Sequence, residues 1–184
     1  KIYFMNKTIE EYLRVIEKCK ELFLNKHQDY GTSWRIMRLS SITDQLYIKA
    51  KRIRTLEIQR VSKVGEGVVD EYIGIVNYSI IALIQMNLKP DAPIELSKEE
   101  VSTYYQDMVD KTLELLKAKN HDYGEAWRDL RITSMTDLIL TKIHRVKQIE
   151  DNQGKTIVSE GLDANYQDML NYAVFALIKL GYAL

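Results

Sequence analysis

Residues 26–35 read KHQDYGTSWR, and residues 119–128, which lie 93 positions further along the chain, read KNHDYGEAWR. The likeness extends outward from this stretch through most of each half, with the offset growing to 94 after one extra residue in the second half. Internal repeats are sought first because they determine the whole architecture, and this one indicates a tandem duplication. Its matched pairs include Asp44 with Asp137, Lys49 with Lys142, Arg52 with Arg145, Glu66 with Glu160, and Asn77-Tyr78 with Asn171-Tyr172.

The boundary between the two copies is marked by the two prolines of the chain, Pro90 and Pro93. Proline lacks an amide donor and stiffens the backbone, so it favours a connection between helices over a helix interior. We therefore predict a first helical repeat over residues 1–89, a proline-containing linker over 90–96 and a second repeat over 97–184, all within one compact unit.

Each half carries the pattern of three helices. Thr8 and Ser97 each precede a glutamate by three residues, a capping-box signature that predicts the start of the first helix of each half. The third helices are predicted at residues 69–86 and 163–180, after a gap marked by glycines such as Gly65 and Gly67, and they are apolar on nearly all sides. The expected fold is all-α: a helical bundle of two tandem three-helix repeats related by a pseudo-two-fold axis.

Composition narrows the function classes. The chain has 184 residues with 26 basic and 26 acidic side chains, so its formal net charge is zero, which argues against bulk nucleic-acid binding. A single cysteine indicates an intracellular, cytoplasmic protein rather than a disulfide-stapled one. No apolar run reaches the roughly 18–20 residues of a membrane helix, so no membrane association is expected.

Polar residues recur on one face of each apolar third helix. With a period of 3.6, Asp70, Gly74, Asn77, Tyr78 and Ile81 share a face in the first half. A buried carboxylate or amide is costly unless it is paired, hydrated or bound to a cation. Two interpretations remain open: an interhelical salt-bridge network with the basic residues of the second helices, or a binding site for a charged ligand. The second-half face reads Ala164, Asp168, Asn171, Tyr172 and Phe175, and the basic residues are Lys49, Arg52, Lys142 and Arg145.

The stretch that follows each first helix carries a second signal. A glycine there is typical of a helix-terminating turn, and the tryptophan after it can plug the end of the bundle. Alternatively, an aromatic face beside an arginine can stack on a base and pair with a phosphate, and an aspartate can cap the next helix. The residues concerned are Asp29, Trp34 and Arg35 in the first half, and Asp122, Trp127 and Arg128 in the second.

The motif Asp-Tyr-Gly-x-x-Trp, followed by Asp-x4-Lys-x2-Arg and Glu-x10-Asn-Tyr, resembles the nucleotide-modification-associated domain family of bacteria and phages, formerly a domain of unknown function. The resemblance covers nearly the whole chain, once per half, and implies a context of nucleotide or DNA-base modification. The helical carboxylates are more distantly similar to those of MazG-type all-α nucleoside triphosphate pyrophosphatases. That likeness implies glutamates and aspartates from neighbouring helices around magnesium and hydrolysis of the α–β phosphate link.

Each copy departs from the family pattern at a different acid. The pattern has an aspartate four residues after the glutamate and another four residues later. Gly74 replaces the second of these in the first half, and Ala164 replaces the first in the second half. Either both sites have lost activity and only bind, or the halves pool their acids into one composite site.

These observations predict a nucleotide-binding protein, with a deoxynucleotide as the expected ligand, and a Mg²⁺-dependent pyrophosphohydrolase as its enzymatic form. The alternative is a non-catalytic helical adaptor whose polar network is structural. A monomer or a homodimer is expected. The predicted catalytic and magnesium-binding residues are Glu66, Asp70, Glu160 and Asp168. The predicted ligand-binding residues are Asp29, Trp34, Arg35, Lys49, Arg52, Asn77, Asp122, Trp127, Arg128, Lys142, Arg145 and Asn171.

Overall fold

A computed structural model shows a bundle of α-helices, three from each half of the duplicated sequence. It describes residues 2–59, 64–155 and 161–184. Within these ranges, side chains are described for residues 7–59, 67–119, 124–155 and 161–184. No strand occurs in these ranges, which confirms the all-α prediction. The helices are α1 (Ile2–Tyr30), α2 (Leu39–Gln59), α3 (Val64–Asn87), α4 (Lys98–Tyr123), α5 (Ile132–Asp151) and α6 (Leu162–Lys179).

The predicted helix starts are confirmed in one half and wrong in the other. Ser97 precedes α4, and its hydroxyl accepts a hydrogen bond from the amide of Glu100 at 3.1 Å, as a capping residue does. Thr8, by contrast, lies inside α1, where it is fully buried and contacts Glu125. The residues before Thr8 continue the helix, so its hydroxyl is used for a tertiary contact. The predicted glycine-marked gap is wrong in the first half, since α3 begins at Val64 and includes Gly65 and Gly67. In the second half, Gly154 and Gly161 do lie between α5 and α6, as predicted.

Glycine ends the first helix of each half, as predicted. Gly31 and Gly124 have φ angles of 59° and 63°, in the left-handed region where only glycine is free of a side-chain penalty. The amide of Gly31 bonds the carbonyl of His27 at 2.8 Å and closes α1. A short 3₁₀ turn follows each glycine, over Ser33–Ile36 and Ala126–Asp129, and positions the two tryptophans.

The third helices, α3 and α6, pack against each other at the centre, and α2 and α5 flank them. Residues 173–178 of α6 are all buried, which agrees with the prediction of an almost wholly apolar central helix. In α3, the stretch Gly67–Asn87 is long and apolar enough to span a membrane, with a mean hydropathy of 1.4, but 72% of that window is buried within the fold. Its apolar character therefore matches a core position in the bundle.

Two reciprocal hydrogen bonds join the halves across the pseudo-two-fold axis. The hydroxyl of Tyr12 in the first half donates to Asn171 Oδ1 at 2.8 Å, and that of Tyr105 in the second half donates to Asn77 Oδ1 at 2.9 Å. Tyr12 and Tyr105 are themselves a matched pair of the duplication. Asn77 also donates from Nδ2 to the carbonyl of Cys19 at 3.1 Å. The repeated asparagines, predicted as ligand-binding, thus hold the two halves together.

A second reciprocal set lies where α2 meets α5. Thr43 bonds Tyr166 at 2.7 Å and Glu150 at 2.9 Å, and its counterpart Thr136 bonds Tyr72 at 2.5 Å. Glu57, the counterpart of Glu150, lies close enough to Thr136 for that hydroxyl to act to lower its pKa. Burial is the main cause that raises the pKa of both glutamates. The repeat therefore places one carboxyl with a raised pKa in each half.

Removal of one reciprocal hydroxyl should destabilise the fold. In Tyr105→Phe, Asn77 Oδ1 loses its donor in a buried position, which costs about 1–3 kcal/mol in the free energy of unfolding. Tyr12→Phe should have a similar effect through Asn171. Urea denaturation at constant m-value measures both. The control is Tyr104→Phe, a half-buried neighbour on α4. A loss confined to one of the two hydroxyls would contradict the reciprocal arrangement.

The raised pKa of Glu57 and Glu150 predicts a pH dependence of stability. At pH values between the ordinary pKa of 4.5 and the raised pKa values, the folded protein binds the carboxyl protons of Glu57 and Glu150 more tightly than the unfolded chain does. The stability that they contribute is complete below about pH 4.5 and is lost as pH rises through the folded pKa. We expect the double variant Glu57→Gln/Glu150→Gln to gain stability relative to the native protein as pH rises from 4.5.

Chemical denaturation at a series of pH values tests this difference. Glu10→Gln, which changes an exposed glutamate of α1, is the matched control and should show no such trend. If the double variant instead loses stability relative to the native protein as pH rises, the result contradicts a raised pKa of Glu57 and Glu150 in the folded protein.

Candidate functional site

A cavity of about 580 Å³ opens in the first half, between α1, the 3₁₀ turn after it, α2 and α3. The five residues predicted to share one face of α3 all line this cavity, which confirms that they point the same way. The lining also includes Trp34 and Lys49, two of the predicted ligand-binding residues. The α3 residues at the cavity are Asp70, Glu71, Ile73, Gly74, Asn77, Tyr78 and Ile81.

Lys49 is the basic group on the α2 wall of the cavity. Its Nζ lies 3.7 Å from a carboxylate oxygen of Glu71 and 5.5 Å from the centre of the Tyr78 ring. Its stem lies over Gly74, where an added Cβ would stand only 2.7 Å from Lys49 Cδ and Cε. Gly74, which stands where the second half has Asp168, therefore makes room for the lysine side chain. Arg52, one turn further along α2, ion-pairs the same Glu71.

Asp70 is the exposed acid of the cavity. It lies on α3 beside Glu71, but it is exposed where the Glu71 side chain is only 11% accessible. Glu71 is already engaged by two cations, so Asp70 is the carboxylate better placed to meet a ligand or a hydrated cation. Its charge reaches Tyr182 near the C-terminal end, where it adds to the burial that raises the pKa of that tyrosine.

Aromatic rings form the other side of the cavity. Trp34 is half-buried and meets Phe23 at a ring-centre distance of 6.3 Å with a tilt of 41°, so the two rings do not stack. Tyr30, at the C-terminal end of α1, lines the cavity and is 69% exposed. Such walls accept a flat, partly apolar ligand.

The equivalent region of the second half is described in part, because the side chains of residues 120–123 lie outside the described residues. Trp127 is buried and stacks on Phe175, with ring centres 4.3 Å apart and planes 9° from parallel. Asp168 accepts ion pairs from Lys119 at 3.0 Å and Lys142 at 2.7 Å. The predicted acid of the second half is therefore paired with lysines, while the predicted acid of the first half faces a cavity. Asp70 and Asp168 do not line the same cavity.

The two repeated arginines after the tryptophans serve the fold. Arg35 donates to the carbonyl of Ala92 at 3.0 Å and bonds Gln85, which ties the 3₁₀ turn to the linker and to α3. Arg128 donates to Glu11 at 2.8 Å and to Glu125 at 2.7 Å. Burial acts to lower the pKa of Arg128, but the two carboxylates outweigh it and raise the pKa. Both side chains already have protein partners.

The remaining predicted site residues lie away from the cavity or outside the described residues. Asp29 and Arg145 are exposed and are not part of the cavity lining. The side chains of Glu66 and Asp122, and Glu160 as a whole, lie outside what the structure describes. Within the described ranges, no group of three or more histidine, cysteine or acidic residues could hold a metal ion.

Sequence reasoning missed Glu71, the carboxylate that binds both Lys49 and Arg52. Its counterpart in the second half is Asn165, so a search for repeated acids passes over it. The signal in the sequence that could have identified Glu71 is its charge, because it lies on the most apolar helix, α3. His27 also lines the cavity, and its Nε2 lies 3.0 Å from the carbonyl oxygen of Leu96.

Comparison with known proteins agrees with the duplication. The sequence profile of nucleotide modification associated domain 1 matches residues 26–86 and again residues 119–180. No curated protein and no solved structure matches the chain. Since the two matches cover more than half of the sequence, the chain belongs to the nucleotide modification associated domain 1 family, with two tandem copies of the domain.

Proposed function

We propose that this protein binds a nucleotide in the cavity of its first half. The observation that carries the proposal is the meeting of an aromatic wall, Trp34 and Phe23, with a lysine, Lys49, around an open volume of about 580 Å³. Aromatic faces stack on bases, and a lysine at a partly buried site attracts a phosphate. Membership in a family that is associated with nucleotide modification supports this choice of ligand.

The size and lining of the cavity suit a small ligand. Cavities for small molecules typically measure about 300–1,000 Å³ and combine mostly apolar walls with a few polar groups. Here the apolar residues Leu22, Ile73 and Ile81 line the cavity together with the aromatic wall. A few polar groups at one side would orient the ligand.

Magnesium-dependent hydrolysis of a triphosphate is the finer form of this proposal. Asp70 supports it, because Mg²⁺ usually takes one or two protein carboxylates and completes its shell with phosphate oxygens and water. Glu66 would be the second acid. Release of pyrophosphate from deoxynucleoside triphosphates with Mg²⁺, lost in Asp70→Asn without a change in thermal stability, would establish the activity. No release by the native protein would leave binding as the function.

The alternative function is that of a structural adaptor without a ligand. The reciprocal Tyr–Asn hydrogen bonds favour this alternative for the two repeated asparagines. Those bonds explain why Asn77 and Asn171 recur. They do not explain an open cavity beside Lys49. The cavity is therefore the feature that separates the two functions.

Substitution of Trp34 tests nucleotide binding. Loss of a stacked base contact costs about 1–3 kcal/mol, so Trp34→Leu should weaken nucleotide binding by roughly 5- to 150-fold. Calorimetry with a panel of nucleosides and nucleotides, with and without Mg²⁺, measures the affinity. Trp34→Phe keeps an aromatic face and is the matched control, with a smaller loss expected. Absence of heat for every nucleotide with the native protein would reject the proposed function.

A further inference from the structure

His27 is a cavity residue to which the proposed function gives no role. It is half-buried near the C-terminal end of α1 and lines the cavity. Phe23, whose ring centre lies 6.3 Å from that of Trp34, precedes it by four residues on the same helix. Residues four apart in an α-helix share a face, so the imidazole of His27 adjoins the aromatic wall.

One ring nitrogen of His27 is held by the linker between the two halves. Nε2 lies 3.0 Å from the carbonyl oxygen of Leu96. A carbonyl oxygen only accepts hydrogen bonds, so Nε2 carries a hydrogen and donates it. In a neutral imidazole, Nδ1 is then the unprotonated nitrogen, and it acts as an acceptor.

The carbonyl that holds Nε2 belongs to a fixed part of the linker. Leu96 is buried, and its amide donates to Thr32 Oγ1 at 3.0 Å. The same hydroxyl donates to the carbonyl oxygen of Ile94 at 2.5 Å, and Thr32 is fully buried. Because the hydrogen bond of one ring nitrogen sets the tautomer of the other, the linker fixes both the tautomer and the orientation of the His27 ring.

The second ring nitrogen of His27, Nδ1, is accessible. The two nitrogens of an imidazole point in different directions, so Nδ1 points away from the linker when Nε2 points at it. Among the described residues, none forms a hydrogen bond with Nδ1. Nδ1 is also not one of the buried polar atoms that lack a partner. It is therefore the ring atom that a ligand can reach.

The other nitrogen groups of the cavity lining cannot play this part. Lys26 and Lys49 are cations that only donate hydrogen bonds, and the indole of Trp34 also only donates. Both polar atoms of the Asn77 side chain already bond within the protein. The two carboxylates of the lining accept hydrogen bonds, but they carry charge. His27 therefore supplies a neutral acceptor of fixed orientation.

We propose that His27 is a specificity residue of the cavity, whose Nδ1 accepts a hydrogen bond from an N–H group of a nucleobase stacked on Trp34. This inference rests on the proposed function and specifies how the ligand is recognised. A site with a fixed acceptor rejects a ligand that lacks the matching donor, because a polar group is then left unpaired. His27 contacts the base, and Lys49 attracts the phosphate.

The base is a better partner for Nδ1 than the phosphate is. Phosphate oxygens at neutral pH are mainly acceptors, so they do not pair with the lone pair of a neutral imidazole. The position of His27 beside Phe23 also puts its ring at the edge of any base that stacks on this wall. A sugar hydroxyl is the other donor of a nucleotide, and the experiment separates it from the base.

Calorimetric titration of the full chain at about pH 8, where an ordinary imidazole is neutral, tests the contact. The panel contains the mono- and triphosphates of the four deoxynucleosides, with and without Mg²⁺. The nucleotide that binds most tightly is then compared with its analogue in which methyl groups replace the hydrogens on the base nitrogens. We expect the methylated analogue to bind roughly 5- to 150-fold more weakly.

Variants of His27 separate the lost hydrogen bond from the added bulk of the methyl groups. His27→Phe keeps a flat ring without nitrogens, so it should weaken binding of the parent nucleotide and discriminate less against the methylated analogue. His27→Gln keeps one donor for Leu96 and one acceptor for the base, so it should recover part of the affinity. His144→Phe changes an exposed histidine of α5 outside the cavity and is the matched control. Circular dichroism and thermal melting confirm that each variant is folded.

Long-range ¹H–¹⁵N spectra of the imidazoles test the tautomer in the native protein. The chain has three histidines, and the signals absent from His27→Gln assign those of His27. We expect a hydrogen on Nε2 and none on Nδ1. Addition of the parent nucleotide should shift the Nδ1 signal, and addition of the methylated analogue should not.

Three results would overturn the inference and leave nucleotide binding intact. The first is a hydrogen on Nδ1 of the bound protein at about pH 8, which would assign the ring to the phosphate. The second is equal affinity for the parent and the methylated analogue, which would leave only a sugar hydroxyl as the donor. The third is equal discrimination between them by the native protein and His27→Phe. Absence of binding for every nucleotide of the panel would reject the inference together with the proposed function.

Discussion

The burial of α3 and α6 against each other is the constraint on which the rest of this structure depends. Where the two helices are buried against each other, a polar side-chain atom needs a partner within the protein or stays unsatisfied, as Ser79 Oγ does. Tyr12 and Tyr105 provide that partner for Asn171 and Asn77, and each bond crosses from one half to the other. The side-chain oxygen of each asparagine therefore has its donor in the other half, while Nδ2 of Asn77 bonds the carbonyl of Cys19 in its own half.

This interdependence separates the residues that must stay alike from those that are free to differ. The asparagines, the tyrosines and the two arginines after the tryptophans are tied to partners by the fold. Gly74 and Ile81 lie on the same α3 face but take no part in the bonds between halves. Their counterparts in the second half contact the lysines and the tryptophan: Asp168 pairs with Lys119 and Lys142, and Phe175 stacks on Trp127. The same scaffold can thus carry different side chains at these two positions.

The sequence predicts much of this fold because duplication, helical period and capping are local signals. The glycine turns, the Ser97 cap and the shared face of α3 follow from spacing alone. Thr8 shows the limit: its capping pattern is genuine, but preceding residues that continue the helix outweigh it. The site is less predictable, since repetition does not distinguish an asparagine that joins the halves from a lysine that faces a cavity. Repetition does not indicate Glu71 either, because only one of the two copies has an acid at this position.

The different partners of the repeated lysine explain how one copy can stay receptive to an anion. At 2.7 Å, Lys142 and Asp168 form a charge-assisted hydrogen bond with little exposure. At 3.7 Å, Lys49 and Glu71 are held by charge alone. Each carboxylate has a second cation, Lys119 for Asp168 and Arg52 for Glu71, so neither is left unpaired if the repeated lysine turns towards a ligand. The longer distance of its ion pair makes Lys49 the more available cation of the two.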